Sequence, residues 1–154
     1  MNKNNKFIIL DKIDQKIISI LKSNARMSAS NISESIKLSV PATTDRIKKL
    51  EDSKIIKGYY AKIDSRKIGL NLSALITVIS ASSSNYEEII KSANQLDEII
   101  ECYATTGRGS HILIIETEST NTLEKLLRKI QSWPNVIRTE TQIILSNNKT
   151  LSHH

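Results

Sequence analysis

Small, hydroxyl-bearing and cationic side chains are interspersed between positions 39 and 49, and these are the residue types that contact double-stranded DNA. Arg46 can donate two hydrogen bonds to a guanine edge or clamp a phosphate, and both possibilities remain open. Lysine ammonium groups suit phosphates, because a flexible point charge positions a protein on DNA without reading its sequence. The predicted contact surface consists of Ser39, Pro41, Ala42, Thr43, Asp45, Arg46, Lys48 and Lys49.

A lone lysine is as often part of a solvated helix face, so this prediction rests on the group rather than on any one charge. Asp45 would repel a phosphate and is expected instead to support Arg46 or Lys49 along a helix. Positions 1–64 carry 13 Lys and Arg against 7 Asp and Glu, whereas positions 65–154 carry 9 of each kind. The whole net charge of +6 therefore lies in the first part, which indicates a polyanionic partner.

A second polar stretch, TTGRGSH, precedes an apolar run. Gly107 and Gly109 are more typical of a flexible turn than of a phosphate-binding loop, because neither a GxGxxG motif nor a P-loop is present. His111 has no ligand cluster beside it, so a structural or ligand-lining role is favoured over metal binding. Ser110 and His111 lack a companion acid, and Cys102 has no adjacent base. We therefore expect no enzyme activity, no metal and no cofactor.

Apolar residues recur every three or four positions from 13 to 51, which predicts three short helices. Ser39 is expected to cap the third helix, with Pro41 in its first turn, where a missing N–H has no cost. The tight turn before this helix suits a helix-turn-helix motif, whose second helix docks in the major groove of DNA. On a helical wheel of the third helix, five side chains are predicted to face the core: Val40, Thr44, Ile47, Leu50 and Glu51.

The segment IIKGYYAKID, which ends at position 64, predicts a strand or a hairpin that bridges two domains, at 1–64 and 65–154. The second domain has the predicted element order β-α-β-β-α-β. Its strands are expected at 72–81, 99–107, 110–118 and 136–145, and its helices at 87–96 and 122–133. This order is typical of a ferredoxin-like fold, in which a four-stranded antiparallel sheet carries both helices on one face. The chain is therefore predicted to be of the α+β class, with the bare sheet face covered by another subunit.

No apolar run approaches the roughly 20 residues needed to cross a bilayer, and the apolar stretch near the start is too short for a signal peptide. A single cysteine excludes an internal disulfide. These features favour a cytoplasmic protein with no membrane partner. The tail SNNKTLSHH is expected to be disordered.

The chain resembles the Lrp/AsnC family, also called feast/famine regulators, across positions 10–146. Its first part is similar to the family's helix-turn-helix signature through the LDxxD start, the N-A-R turn, the L-S cap and the R-I-x-x-L-E recognition helix. IIKGYYAKID resembles the family's connecting strand, and IIECYATTGRGSHILIIE resembles the core of its ligand-binding domain. SWPNVIRTETQIIL is similar to its last loop and strand.

The resemblance implies a transcription regulator whose N-terminal winged helix-turn-helix domain binds palindromic DNA. It also implies a ferredoxin-like domain that forms a homodimer, assembles dimers into higher oligomers such as octamers, and binds an amino acid as effector. The family's effector contacts follow its second β-strand, which corresponds here to Thr106, Gly107, Arg108, Gly109, Ser110 and His111. An alternative within the family is an architectural DNA-binding protein with little or no effector response.

Two places depart from the family's pattern. Ser53 and Lys54 stand where a glycine is common, so the recognition helix is expected to close differently. Ser110 stands where most members carry an acidic residue, and His111 where an aromatic one is common. An acidic group would hold an α-ammonium through a charge-assisted hydrogen bond, which Ser110 cannot supply. Together with the positive charge of Arg108, this predicts either a carboxylate-rich ligand or no ligand.

Overall fold

The computed structural model describes residues 9–81 and 86–146. The chain divides into two compact units, and the division falls between Lys62 and Ile63. Beyond Ser146, the tail expected to be disordered lies outside the described residues. Within the described ranges, no helix has the length and apolar content that crossing a membrane would need.

The first unit contains the three helices that the apolar spacing predicts: α1 (Lys12–Ser23), α2 (Ala29–Ile36) and α3 (Val40–Asp52). Each helix begins after a residue whose side chain accepts a hydrogen bond from a backbone N–H of the first turn. These caps are Asp11, Ser28 and Ser39. Because such caps satisfy donors that the helix itself leaves unpaired, the polar residues between the apolar runs fix where the helices start.

The core of the first unit is formed by Ile17, Leu21, Ile32, Ile36 and Leu50. The side of α3 that faces this core differs from the predicted one. Thr43 is buried, whereas Val40 is 43% exposed and Thr44 is also exposed. The expectation that Val40 and Thr44 face the core was therefore wrong. Because Thr43 and Thr44 are identical neighbours and Val40 is apolar, the sequence pattern fits two orientations of the helix about its axis, which differ by about 100°.

The segment after α3 is not a strand, so the expectation for positions 55–64 was also wrong. Lys54 ends the helix region in the left-handed conformation with φ 60°, and residues 57–64 have no regular structure before a short 3-10 helix at Ser65–Ile68. A strand needs a neighbour to complete its hydrogen bonds. All regular structure in the described part of the first unit is helical, so residues 57–62 have no strand beside them within that unit.

The second unit has the predicted β-α-β-β-α-β order. Its elements are β1 (Leu72–Ser80), α4 (Tyr86–Ala93), β2 (Ile99–Ala104), β3 (His111–Thr117), α5 (Thr120–Gln131) and β4 (Val136–Ile143). The strands lie in the order β2-β3-β1-β4, and every pair is antiparallel. This confirms the ferredoxin-like fold and the α+β class.

Alternate side chains of the central strands point to opposite faces of the sheet. One face packs against α4 and α5 in a core that includes Ile76, Leu113, Ile115, Ile89 and Ile130. On the opposite face, Leu75 pairs with Ile114 and Thr77 pairs with Ile112. These four side chains are only partly buried, and no described element of the second unit covers them. Among the described residues of the second unit, the apolar centre of this sheet face therefore has no packing partner.

Candidate nucleic-acid interface and ligand cleft

A tight turn joins α2 to α3. Lys37 ends α2 in the left-handed conformation with φ 58°, and the backbone N–H of Leu38 donates to the carbonyl of Ser33 at 3.1 Å. Ser39 then returns to extended backbone, and its Oγ accepts from the N–H of Ala42 at 3.4 Å. Only three residues separate the two helices, so the start of α3 is fixed by both the turn and the cap.

Eight residues of α3 form its exposed face, and five of them belong to the predicted DNA contact surface. The exposed face consists of Val40, Pro41, Ala42, Thr44, Asp45, Lys48, Lys49 and Asp52. The cap Ser39, also predicted, is exposed beside it. Sequence reasoning missed Val40 and Thr44. The sequence signal that could have found them is the pair of neighbouring threonines at positions 43 and 44. If one of the two faces the core, the other must face solvent.

Thr43 does not belong to this surface, which corrects its prediction as a DNA contact. Its side chain is fully buried, and its Oγ1 donates to the carbonyl of Ser39 at 3.0 Å. The hydroxyl therefore satisfies a backbone group at the start of α3. Buried in this way, it has no path to a base or a phosphate.

Arg46 is turned toward the start of α1 rather than outward, which corrects its predicted position. Its Nη1 donates to Asp11 Oδ2 and to Asp14 Oδ1, both at 2.7 Å, and its side chain is 30% exposed. The N–H of Asp14 and the Arg46 guanidinium hold the pKa of the Asp11 carboxyl below its usual range. The same carboxylates form the capping box of α1. Arg46 therefore fastens α3 to the beginning of α1 through charge-assisted hydrogen bonds.

The remaining charges of the exposed face are partly paired. Lys49 Nζ lies 2.8 Å from Asp45 Oδ2, and this contact lowers the pKa of the Asp45 carboxyl. The expected support of a cation by Asp45 is therefore present, and it involves Lys49. Within the described residues Lys48 makes no ion pair, so its ammonium group is available to a phosphate.

In the second unit, the loop between β2 and β3 borders a cleft of about 370 Å³. Its described lining is Ser80, Ala81, Tyr86, Thr105, Thr106, Gly107, Arg108, Gly109 and Ser110. Five of the six predicted effector-binding residues are in this lining. Ser80, Ala81 and Tyr86 were missed, although antiparallel pairing of Val78 with His111 brings the end of β1 beside this loop. The volume is within the range of small-molecule sites.

Backbone contacts shape the cleft loop. The N–H of Thr105 donates to the carbonyl of Ser110 at 2.9 Å, and the N–H of Ser110 donates to the carbonyl of Val78 at 2.9 Å. Gly107 has φ 105°, which side-chain-bearing residues rarely adopt. A Cβ on Gly109 would lie against Thr77 and 3.0 Å from the carbonyl of Val78. The backbone therefore requires glycine at both positions. Gly107 allows the turn, and Gly109 allows the loop to approach β1 closely.

His111 does not line the cleft, which corrects its prediction as an effector contact. It is fully buried, its ring meets Tyr86 edge-on with centroids 4.8 Å apart, and its Nδ1 lies 3.0 Å from Ser110 Oγ. Ser110 Oγ also lies 3.3 Å from the carbonyl oxygen of Val78, so this hydroxyl links the imidazole to β1. His111 Nε2 is buried and has no hydrogen-bond partner among the described residues. Burial lowers the pKa of His111, which keeps it neutral behind the cleft wall.

The charged side chain in the described lining of the cleft is positive. Arg108 is exposed and cationic, and the described lining contains no acidic side chain. Within the described residues, no three His, Cys, Asp or Glu side chains come together to hold a metal ion. Cys102 is half-buried, and burial raises the pKa of its thiol. The cleft can therefore offer a guanidinium, hydroxyls and backbone groups to an anionic ligand.

Each of the two units matches a known protein family. Residues 10–57 match a model of winged helix-turn-helix DNA-binding domains, and residues 73–152 match a model of the Lrp/AsnC ligand binding domain. The regulatory protein AsnC of Haemophilus influenzae is 34% identical over 139 residues, which cover 90% of this chain and 93% of that protein. The HTH-type transcriptional regulator LrpC of Bacillus subtilis is 33% identical over 137 residues, which cover 89% and 92%.

Solved structures agree with these matches. The structure of LrpC from B. subtilis has a TM-score of 0.82 at 34% identity, covering 93% of this chain and 99% of that one. A feast or famine regulatory protein from Mycobacterium tuberculosis, complexed with L-methionine, has a TM-score of 0.87 at 29% identity and covers 95% and 99%. The similarity therefore extends over both units of the chain.

Proposed function

This chain is a member of the Lrp/AsnC family of DNA-binding transcription regulators, and from that premise we propose which of its residues contact DNA and ligand. Family membership also confirms the expectation of a regulator rather than an enzyme. We propose that the exposed face of α3 enters the major groove, with Ser39, Pro41 and Ala42 near base edges and sugar-phosphate. Lys48 and Lys49 contact phosphates. The observation that carries this proposal is the capped start of α3, which remains exposed while Arg46 anchors the helix from behind.

Salt dependence of DNA binding tests this assignment. Each neutralised phosphate contributes about 0.9 to the slope of log affinity against log salt concentration. Lys48→Ala should weaken binding to all duplexes alike and reduce that slope by about 0.9. Lys125→Ala is the matched control, because this exposed lysine lies on α5 of the other unit. An unchanged slope in Lys48→Ala would show that Lys48 contacts no phosphate and would contradict this orientation of α3 on DNA.

We propose that the cleft of the second unit binds a small molecule with a carboxylate, such as an amino acid. Arg108 and the backbone of residues 105–110 would hold that carboxylate, and the relative complexed with L-methionine gives the ligand class a precedent. Because the described lining has no acidic side chain, a carboxylate-rich molecule suits this cleft better than one whose charged ammonium needs a partner.

Calorimetric titration against neutral and acidic amino acids tests the ligand class. Glutamate or aspartate should bind more tightly than leucine or methionine, and Arg108→Gln should remove that preference. Thr106→Ala is the control, since it changes the lining without changing the charge. Tight binding of leucine to the unmodified chain would contradict the proposal.

The uncovered sheet face supports a homodimer. Leu75, Ile112 and Ile114 form an apolar centre that water would otherwise contact, and a second copy of the chain presents the same surface. We also propose that these dimers assemble further into octamers. A cytoplasmic location, where DNA is accessible, is a separate part of the proposal. Sedimentation velocity should show a dimer or a multiple of it. Ile114→Asp should shift that distribution toward monomer, and a monomeric unmodified chain would refute the assembly.

An architectural DNA-binding role is the second candidate. The inward position of Arg46 favours it, because α3 then presents fewer groups that read guanine. The ratio of specific to non-specific affinity at fixed salt separates the two roles. Sequence-specific regulators typically show ratios of about 10³ to 10⁷. A ratio near one would favour the architectural role.

A further inference from the structure

The first two turns of α3 present mostly hydrocarbon to solvent. Val40 is 43% exposed, and Pro41 and Ala42 beside it are exposed as well. Thr44 is exposed, but its Oγ1 donates to the carbonyl of Val40 at 3.0 Å. The donor of that hydroxyl is therefore used within the helix, and the methyl group is the main feature that Thr44 offers to an approaching base.

The side chains of α3 that could read bases through hydrogen bonds are either paired with other residues of the chain or far from the start of the helix. Arg46 is held by Asp11 and Asp14, and Asp45 is paired with Lys49. The helix sequence VPATTDRIKKLED contains neither Asn nor Gln, the residues that read adenine in pairs of hydrogen bonds. Lys48 lies eight residues beyond Val40, about 12 Å along the helix axis. When the N-terminal residues of a recognition helix reach base edges, a cation at that distance meets the backbone instead.

Thymine carries the only apolar group on the major-groove edges of the base pairs, its 5-methyl. We propose that this chain selects its DNA half-site through thymine methyl groups packed against Val40, Pro41, Ala42 and Thr44. The inference rests on the proposed docking of α3 and names what that docking reads. Each thymine methyl removed from water against these side chains should contribute about fourfold in affinity.

The experiment uses the full chain and duplexes that it selects from a randomised library. Each thymidine in the selected half-site is then replaced in turn by deoxyuridine, which lacks the methyl but pairs identically. We expect about a fourfold loss of affinity at each contacted position and no loss at positions outside the half-site. Deoxyuridine outside the half-site is the DNA control for changes in duplex stiffness.

A double-mutant cycle links the effect to α3. Val40→Ala and Thr44→Ser shorten exposed side chains and should leave the circular dichroism spectrum unchanged. In these variants the same deoxyuridine substitution should have less effect than with the unmodified chain, because the methyl has lost its apolar neighbour. Lys48→Ala is the matched protein control, and it should weaken binding equally to thymidine and deoxyuridine duplexes.

The outcomes separate this inference from the function on which it rests. Tight, selective binding that does not change with deoxyuridine overturns the methyl readout and leaves DNA regulation standing. Selected half-sites without thymine in the contacted positions overturn it in the same way. Failure of the library to yield any preferred sequence, with Lys48→Ala and the unmodified chain binding alike, would remove both the inference and the docking of α3.

Discussion

The exposed face of α3 and the cleft of the second unit place functional groups in opposite ways. On α3, side chains project from a helix whose orientation is fixed by buried Thr43 and by the Arg46 ion pairs. In the cleft, the shape comes from the backbone of residues 105–110, and buried His111 lies behind the wall. A surface of the first kind can change its side chains without changing its shape, whereas a cleft of the second kind depends on small residues that allow close backbone approach.

The largest expected effect tests the backbone-built cleft. Gly109→Ala places a Cβ against Thr77 and 3.0 Å from the carbonyl of Val78, which forces β1 and the loop apart. We expect a loss of about 1–3 kcal/mol in the free energy of unfolding of the second unit. The buried Trp133 is the only tryptophan, so its fluorescence during denaturant unfolding monitors this unit. Thr106→Ala should leave the midpoint unchanged, and a fully stable Gly109→Ala would show that the loop adapts.

The next effect tests the helix-built surface. Arg46→Ala removes both ion pairs to α1, so the unfolding midpoint of the first unit should fall by about 4–8 °C. Circular dichroism at 222 nm follows the helices of both units, and Trp133 fluorescence identifies the part of the transition that belongs to the second unit. Lys48→Ala removes a neighbouring cation without an ion pair and should leave the midpoint within about 1 °C. Loss of sequence-specific DNA binding in Arg46→Ala without any loss of stability would make Arg46 a DNA reader after all.

A smaller gain is expected where α3 ends. Lys54 adopts φ 60°, a conformation that costs a side-chain-bearing residue more than it costs glycine. Lys54→Gly should therefore raise the free energy of unfolding of the first unit by about 0.5 kcal/mol, after the greater chain entropy of glycine is included. Lys57→Gly removes the same charge at an irregular position and should be neutral or destabilising. Equal effects of the two substitutions would argue against strain at Lys54.

The smallest expected effect is a difference in pH dependence between the units. His111 has a lowered pKa when folded, so the unfolded chain binds its proton first and the second unit loses stability as pH falls below about 6.5. Asp11 has a lowered pKa when folded, so its contribution to the first unit is lost only as pH falls below about 3.8. Tryptophan fluorescence and circular dichroism should therefore change at different pH values. His111→Gln should abolish the destabilisation of the second unit in mildly acidic buffer, and its persistence would assign that destabilisation to another group.

Elements were predicted from the sequence more successfully than orientations. Apolar spacing and cap residues placed the three helices, and the β-α-β-β-α-β order predicted the antiparallel sheet that the structure confirms. The inward turn of Arg46 could not be predicted, because its carboxylate partners lie over 30 positions away in the chain. The burial of His111 was missed for a similar reason, since it depends on Tyr86 packing against the ring from α4. Contacts between distant segments decide both positions.

The missing strand at positions 55–64 has the same origin. Its β-branched and aromatic residues suit an extended chain, but an extended chain becomes a strand only beside another one. The described part of the first unit offers helices alone, and the segment is tied to α3 through the Tyr59 hydroxyl, which donates to Glu51 Oε1 at 2.8 Å. Partial desolvation of the phenol group, together with this hydrogen bond, raises the pKa of Tyr59 to about 12.

Anchoring α3 from its inner side has an evolutionary consequence. Because Thr43, Arg46 and Leu50 hold the helix while Val40, Pro41, Ala42 and Thr44 remain outside the packing, outer positions can mutate without unfolding the first unit. A duplicated copy of such a chain could acquire a new operator through a few substitutions on one helical stripe. Reprogramming in the laboratory could follow the same route, by randomising those outer positions and leaving the inner ones intact.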